Sequence, residues 1–222
     1  MPLRNFVRLA IAALILASVT LIASAQSGND ARRIRDENLK AAKASADQPA
    51  KAPEADPMRQ WIEMNKPGEQ HALLRRLVGE WDADVEMTMA PGAPVVKSKG
   101  KSGTTSVFDG RYLHSDFTGE MMGQPFRGAG LIGYDNVKKK YFSAWIDQMS
   151  TGLMVAEGSA DKDGKVITLV GEQVDPTSNQ KRKYRWVTTI VDDSKNTFEA
   201  YEPGPDGKGE IRTMVITYTR AK

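Results

Sequence analysis

From Trp81 to Met89 the chain alternates apolar and polar residues. Trp81, Ala83, Val85, Met87 and Met89 fall on one side, Asp82, Asp84, Glu86 and Thr88 on the other. Period-two alternation over nine residues is the signature of a strand with one buried face. Further strands are predicted near 98–108, 111–119, 126–134, 140–147, 153–160, 165–174, 181–192, 197–202 and 210–220. The segments between them carry turn chemistry: Pro91-Gly92, Asp109-Gly110, Gly123-Gln124-Pro125, Asp135-Asn136, Asp163-Gly164, Asp175-Pro176, Asp193-Ser194 and Asp206-Gly207. Gly, Asn and Asp tolerate the positive φ of tight hairpins. No helical period of useful length interrupts this run, so parallel crossovers are excluded. About ten short strands joined by tight turns form a meander. Closure into an up-and-down antiparallel barrel removes its two exposed edges. Glycines at 128, 130, 133, 158 and 171 suit the bends of a small barrel. A β-sandwich competes, but with longer Greek-key connections.

The pattern ahead of Trp81 is different. Residues 58–65 and 68–78 read as two short helices split by Pro67-Gly68. The second places Leu73, Leu74 and Leu77 on one face, as a plug or cover for one barrel end. Residues 26–57 have Ile34 and Leu39 as their only large apolar side chains, alternate charged with small residues, and carry Pro49, Pro53 and Pro57. Such a segment cannot bury enough apolar surface to offset its chain entropy, so it reads as a flexible linker with a transient helix over 30–46. Residues 1–25 hold Arg4 and Arg8, an apolar run from Leu9 to Ile22, and Ala23-Ser24-Ala25. A basic start, short apolar centre and small-residue site describe a secretory signal peptide; the run is short for a membrane span. The expected organisation is signal peptide 1–25, linker 26–57 and helix-capped barrel 58–222, with a periplasmic or secreted destination.

Composition sharpens this picture. Loss of residues 1–25 removes two of 31 basic residues and none of 28 acidic ones, so net charge falls from +3 to +1. The pI near 9.0 is then a weak argument for a polyanionic partner, and export removes the usual nucleic-acid partners. No stable membrane insertion is expected once the leader is gone. The absence of cysteine excludes disulfides, thiolate metal sites and a cysteine nucleophile. Lys99-Gly100-Lys101-Ser102 ends like a P-loop, but Val95 stands where its first glycine belongs. Asp161-Lys162-Asp163-Gly164 begins like a calcium loop without the later ligands. There is no Gly-x-Ser-x-Gly elbow. The two histidines, His71 in the covering helix and His114 in a strand, cannot make a multi-histidine metal centre. No cofactor is implied. The lysines at 97–101 and 138–140, with Lys181-Arg182-Lys183, read as solvated hairpin flanks.

Several stretches together carry a resemblance. They are Leu77-Val78-Gly79-Glu80-Trp81, Ala90-Pro91-Gly92-Ala93-Pro94, Asp109-Gly110-Arg111-Tyr112, and Gly119 to Gly128 running on to Gly133-Tyr134-Asp135-Asn136. Trp145-Ile146-Asp147, Met149-Ser150-Thr151-Gly152, Pro205-Asp206-Gly207 and Tyr218-Thr219-Arg220 complete it. Over residues 68–220 the chain resembles the bacterial domain-of-unknown-function family fifteen seventy-nine. The resemblance implies a lipocalin-like barrel and no reaction, ligand or catalytic residue.

The hairpin around residues 141–157 holds the candidate site. With a turn near Gln148–Thr151, Trp145 is expected opposite Val155, Ser143 opposite Glu157 and Asp147 opposite Leu153. Tyr141, Ser143, Trp145, Asp147, Val155 and Glu157 then share one face, and Phe142, Ala144, Ile146, Met154 and Ala156 the other. The alternation leaves open which face is luminal. If the first is, Tyr141, Trp145, Asp147 and Glu157 enter the lumen, with Arg185 or Arg111 as the balancing cation that a buried carboxylate needs. That is an apolar wall with a few polar anchors, a ligand site. The leading expectation is an exported barrel that binds a small apolar or amphipathic molecule. The alternatives are an enzyme using luminal carboxylates such as Asp147 and Glu157 as acid and base, or a non-catalytic structural or interaction protein of the envelope. The sequence does not set the oligomeric state.

Overall fold

The structure, a computed structural model, describes residues 32–40, 56–175, 178–204 and 209–222. The expected signal peptide, most of the linker and the Asp206-Gly207 turn lie outside these residues. The chain divides into two compact units, Met1–Glu54 and Ala55–Lys222. In the first, residues 32–40 form helix α1, whose side chains are all exposed. An Arg33–Glu37 pair at i and i+4 spans it at 3.7 Å.

The second unit begins with helices α2 (Pro57–Met64) and α3 (Glu69–Leu74) and a 3₁₀ turn, Arg75–Leu77. Ten strands follow: β1 Gly79–Met87, β2 Val96–Val107, β3 Tyr112–Met121, β4 Gln124–Asp135, β5 Lys140–Asp147, β6 Met154–Ala160, β7 Val166–Val174, β8 Lys181–Ile190, β9 Lys195–Pro203 and β10 Glu210–Arg220. Each pairs antiparallel with its sequence neighbours, and β1 pairs with β10, so the sheet closes as a barrel. This is the expected up-and-down architecture. The alternation in β1 works as read: Trp81, Ala83 and Val85 are buried. Its outer residues Asp82, Asp84 and Glu86 face Lys101, Lys99 and Lys97 of β2 in register, at 3.6, 3.2 and 2.7 Å. Exposed pairs of this kind add little stability each. They favour one register, because a one-residue slip would turn the charges inward. The β3–β4 turn falls on Met122-Gly123, both at positive φ (52° and 77°), one residue ahead of the expected turn. Gln124 and Pro125 already belong to β4.

One barrel end is sealed by α3 and the 3₁₀ turn. Leu74 and Leu77 are buried there against Leu113, Tyr141, Ile167 and Ile190. His71 is also buried, as a capping group: the Gly68 N–H donates to its Nδ1 at 3.1 Å, and its ring meets Tyr134 edge-on at 5.8 Å. Burial lowers its pKa below the ordinary histidine value. The Tyr134 backbone opposes that shift, and the nearby Arg111 and Arg75 charges reinforce it. Helix α2, by contrast, buries no residue. Its C-terminal end is held by the Asn136 amide, which donates to the carbonyls of Met64 and Lys66 at 2.9 and 2.8 Å.

Beside the plug, β10 returns to β1. The Arg220 guanidinium stacks over the Trp81 ring at 4.2 Å. It donates to the carbonyls of Asp193 and Val78 at 2.6 and 3.0 Å. The Trp81 indole N–H donates to the Leu77 carbonyl at 2.9 Å. Gly79 sits at φ 137°, where a Cβ would fall onto Arg220 Nη1. Arginine at this position thus ties the last strand to the first strand, the plug and the β8–β9 turn.

Two outcomes follow. Arg220→Lys keeps the charge but loses the planar fork, and should lower the unfolding free energy by about 1–3 kcal/mol in urea titration. A value within error of wild type would remove the seal from this account. For His71, the unfolded chain takes up its proton near the ordinary value, whereas the folded protein resists until lower pH. Stability is therefore whole above that ordinary value and is lost as pH falls towards the lowered, folded one. His71→Gln keeps an acceptor for Gly68 and does not titrate. Its melting temperature should fall less than that of wild type between pH 8 and pH 5; parallel curves would contradict this origin.

Candidate functional site: the barrel interior

Strand parity defines the inner wall, and much of it is glycine. Phe117 lies across Gly100 and Gly119: a Cβ at Gly100 would sit 2.5 Å from the ring, one at Gly119 3.0 Å. The Trp145 indole lies across Gly128 and Gly130 of the neighbouring strand, covering the place a Gly128 Cβ would occupy. Tyr184 covers Gly171 in the same way, and its hydroxyl donates to the Val155 carbonyl at 3.0 Å. Each ring is held against the wall by a missing side chain beneath it, and so does not project across the barrel.

The buried apolar residues form two clusters. One fills the sealed end and runs along β6–β8 through Ala156, Leu169, Tyr184 and Trp186. The other, on β10–β1–β3–β4, contains Ala83, Val85, Phe117, Phe126 and Ile216, edged by Met87, Met121 and Met214. Trp145 and Phe198 pack on both. Many inward residues, among them Ser115, Ser143, Trp145, Thr188, Phe198, Ala200 and Tyr218, keep accessible surface. By strand parity they point into the barrel.

The inner wall also carries polar side chains without hydrogen-bond partners among the described residues. Ser102, Thr104 and Asn196 are buried. Tyr218 lies on the same inner wall, and burial raises its pKa well above the ordinary tyrosine value. None of the four side chains makes a hydrogen bond to a described residue, and no polar side-chain atom is both sealed from space and unpartnered. Their oxygen and nitrogen atoms are therefore not wholly enclosed by other protein atoms. Tyr218 and Asn196 are opposed across β10 and β9. On the other side of Tyr218 stand Ala83 and then Gly100, the latter covered by the Phe117 ring. Among the described inward residues between the two ends, none is charged.

The sequence-predicted residues are divided by this wall. Tyr141 is inward and buried. Trp145 and Asp147 are inward too, and the indole N–H donates to Asp147 Oδ2 at 3.0 Å. Asp147 Oδ1 accepts from the Met149 N–H at 2.9 Å, which starts the loop to β6. Glu157 and Arg185 are outside. The expected pairing of Trp145 with Val155 is corrected by one residue: Trp145 opposes Met154, Ser143 opposes Ala156 and Phe142 opposes Glu157. The loop is symmetric about the bond between Met149 and Ser150, and that shift turns the whole of β6 over. Glu157 instead meets Lys138 at 2.6 Å on the outer surface. Arg185 lies over the Tyr201 ring at 3.8 Å and binds Glu210 at 2.6 Å. Arg111, the other expected cation, is at the sealed end, donating to the Phe108 carbonyl at 3.2 Å. His114 is on the outer face, 3.5 Å from Asp116.

At the end opposite the plug, inward register positions hold Asp147, Arg182 and Glu202. Arg182 is engaged by Asp175 at 3.1 Å. Near the sealed end a groove of about 420 Å³ opens between Leu73 of α3, Tyr134, Lys139 and the 161–164 turn. Among the described residues no three His, Asp or Glu side chains come together to hold a metal ion. Tyr218 was discoverable in the sequence, since Met214, Ile216 and Tyr218 alternate with Val215, Thr217 and Thr219. Ser102 and Thr104 were not, because polar residues on an inner face invert the pattern by which that face is recognised.

Fold and interior define the class: a ten-stranded up-and-down barrel, plugged at one end, with an aromatic, uncharged lumen. The chain belongs to the family described as Protein of unknown function (DUF1579), whose model matches residues 66–220. No curated protein matches it in sequence. Among solved structures it is similar to Rv2717c from M. tuberculosis, at 13% identity and TM-score 0.51 over 71% of this chain and 100% of that one. It is also similar to the S-type phycobiliprotein lyase CPES from Guillardia theta, at 10% identity and TM-score 0.47 over 72% of this chain and 97% of that one. At these identities the likeness is one of fold.

Proposed function

We propose that the barrel binds a small apolar or amphipathic molecule in its lumen and that the protein is exported. The observation that carries the binding reading is the interior itself. Aromatic rings are drawn back onto glycines, and the inner wall carries polar side chains without hydrogen-bond partners among the described residues. A scaffold that needed only stability would fill that volume, because empty apolar space and unpartnered polar groups both cost free energy. Tyr141, Trp145 and Asp147 stand on the inner wall as ligand-contacting residues. Glu157 and Arg185 leave that set, and with Glu157 outside, Asp147 and Glu157 do not form the acid–base pair an enzymatic reading requires.

Nile red, an uncharged flat dye whose emission reports a dry environment, provides the test. Its fluorescence should rise and saturate with the wild-type barrel. Ala200, inward between Trp186 and Met214, is the place to block the lumen. Ala200→Trp should abolish the signal while circular dichroism keeps the barrel spectrum. Equal dye binding by this variant would place the dye outside and defeat the reading.

Export rests on the basic start, the apolar run and Ala23-Ser24-Ala25. N-terminal sequencing of the full-length product from a Gram-negative host should begin near Gln26 in the periplasmic fraction. An intact Met1 in the cytosol would exclude export.

A further inference from the structure

Resting on the lumen-binding reading, we infer the class of the occupant: a neutral, flat, oxygen-bearing molecule, an aromatic alcohol or ketone and not a fatty-acid anion, held towards the plugged end of the lumen by the Tyr218 hydroxyl and the Asn196 amide. Three observations converge on this class.

The first is the pair itself. Tyr218 and Asn196 are directly opposed on adjacent strands, make no side-chain hydrogen bond to a described residue, and have Ala83 and Ile190 as their outer neighbours. A phenol hydroxyl donates and accepts, and a carboxamide does both. Together they match a hydroxyl or a carbonyl oxygen. Burial keeps the phenol protonated, so its donor is present across the whole ordinary pH range. Leaving such groups unmatched in a dry interior costs stability, and a hydrogen-bonding guest removes that cost.

The second is charge. Among the described residues, no inward residue between the ends is charged. The Arg220 guanidinium is spent on the Val78 and Asp193 carbonyls and the Trp81 face at the sealed end. Arg182 is held by Asp175 at the other. Among the described residues, a carboxylate buried head-first would find the Arg220 donors already directed at the Val78, Asp193 and Arg76 carbonyls. Placed head-outward, it would meet Asp147 and Glu202. A neutral guest meets neither penalty.

The third is shape. Phe117 and Tyr184 are buried against Phe126 and Trp186, whereas Trp145 lies flat over Gly128 and Gly130 and keeps accessible surface, a ring that favours stacked or edge-on contact with another ring system.

The test is calorimetric titration at pH 7 with naphthalene, 2-naphthol and 2-naphthoate, on the wild-type protein, Tyr218→Phe and Asn196→Ala. Wild type should bind 2-naphthol at least about tenfold more tightly than the 2-naphthoate anion, the difference of one unpaired buried charge. Tyr218→Phe should weaken 2-naphthol about tenfold and leave naphthalene unchanged. Asn196→Ala should act in the same direction. Ligand-free Tyr218→Phe should melt at or above the wild-type temperature, because it deletes an unpartnered hydroxyl. The inference is overturned if 2-naphthoate binds as tightly as 2-naphthol, or if Tyr218→Phe leaves 2-naphthol unaffected, as it would were ordered water the hydroxyl's only partner. It is also overturned if Tyr218→Phe melts below wild type, which would reveal a structural partner. Nile red separates the two levels: dye bound with no preference for 2-naphthol defeats the assigned class alone, whereas no dye bound defeats lumen binding itself.

Discussion

Everything in this molecule depends on the closure of β10 onto β1, and closure is secured at one point by the Arg220 guanidinium on the Trp81 ring. An open ten-stranded meander would leave two edges of unpaired N–H and C=O groups. The β1–β10 ladder removes both, but it joins segments at opposite ends of the domain and bears the largest loop-closure entropy of any pair in the sheet. A planar cation that stacks on a buried indole and donates to two carbonyls makes that junction specific in a way a row of sheet hydrogen bonds does not. It also joins the ladder to the plug through Val78, so closing the barrel and sealing its end are one event. The motif residues follow from this arrangement: Leu77 supplies the acceptor for the indole, Gly79 leaves room for the guanidinium, and Trp81 and Arg220 are the stacked pair.

Once the wall is closed at the plugged end, the interior need not be filled for the barrel to persist. The sheet ladder, the plug core and two clusters against opposing stretches of wall provide the cohesion. The inward glycines are the means by which volume is kept open. An aromatic ring over a cross-strand glycine lies along the wall; Phe117 and Tyr184 are then covered by Phe126 and Trp186, and Trp145 keeps accessible surface. The same ring over a larger residue would swing inward. Gly128 and Gly130 under Trp145 are therefore as much a part of the lumen as the tryptophan.

The strand number, the turns and the helical plug were legible because each rests on local pattern: alternation for the strands, positive-φ residues for the turns, Leu73, Leu74 and Leu77 for the plug. The inner parity of β5 was legible as one of two choices. The register of β6 was not, because it depends on how many residues a loop absorbs, and Asp147 begins that loop with its own side chain. One residue of slip was enough to carry Glu157 from the expected lumen to a pair with Lys138 on the outside. Arg185 was misplaced for a related reason. It sits among cations and aromatics in β8, where the inner face is announced by Tyr184 and Trp186 and not by the arginine between them. The inward Ser102 and Thr104 were hidden because a polar pair on an inner face looks, in sequence, like an outer face.

Charge in this barrel is partitioned by that same parity. The lysines of β2 are matched to the acids of β1, Lys138 to Glu157, Arg185 to Glu210 and Arg212 to Glu199, all on the outer surface. The basic clusters that raise the pI are thus largely neutralised where they stand, which is why a pI near 9.0 says little about a polyanionic partner. The inner face is left with charge at its ends alone. Arg220 is consumed by the seal, Arg182 is held by Asp175, and Asp147 is held by an indole and a loop amide. A cavity of this kind cannot choose its guest by ion pairing. It can choose by ring shape and by whether an oxygen arrives where Tyr218 and Asn196 wait for one, and those two criteria act together because both are set by the register of adjacent strands.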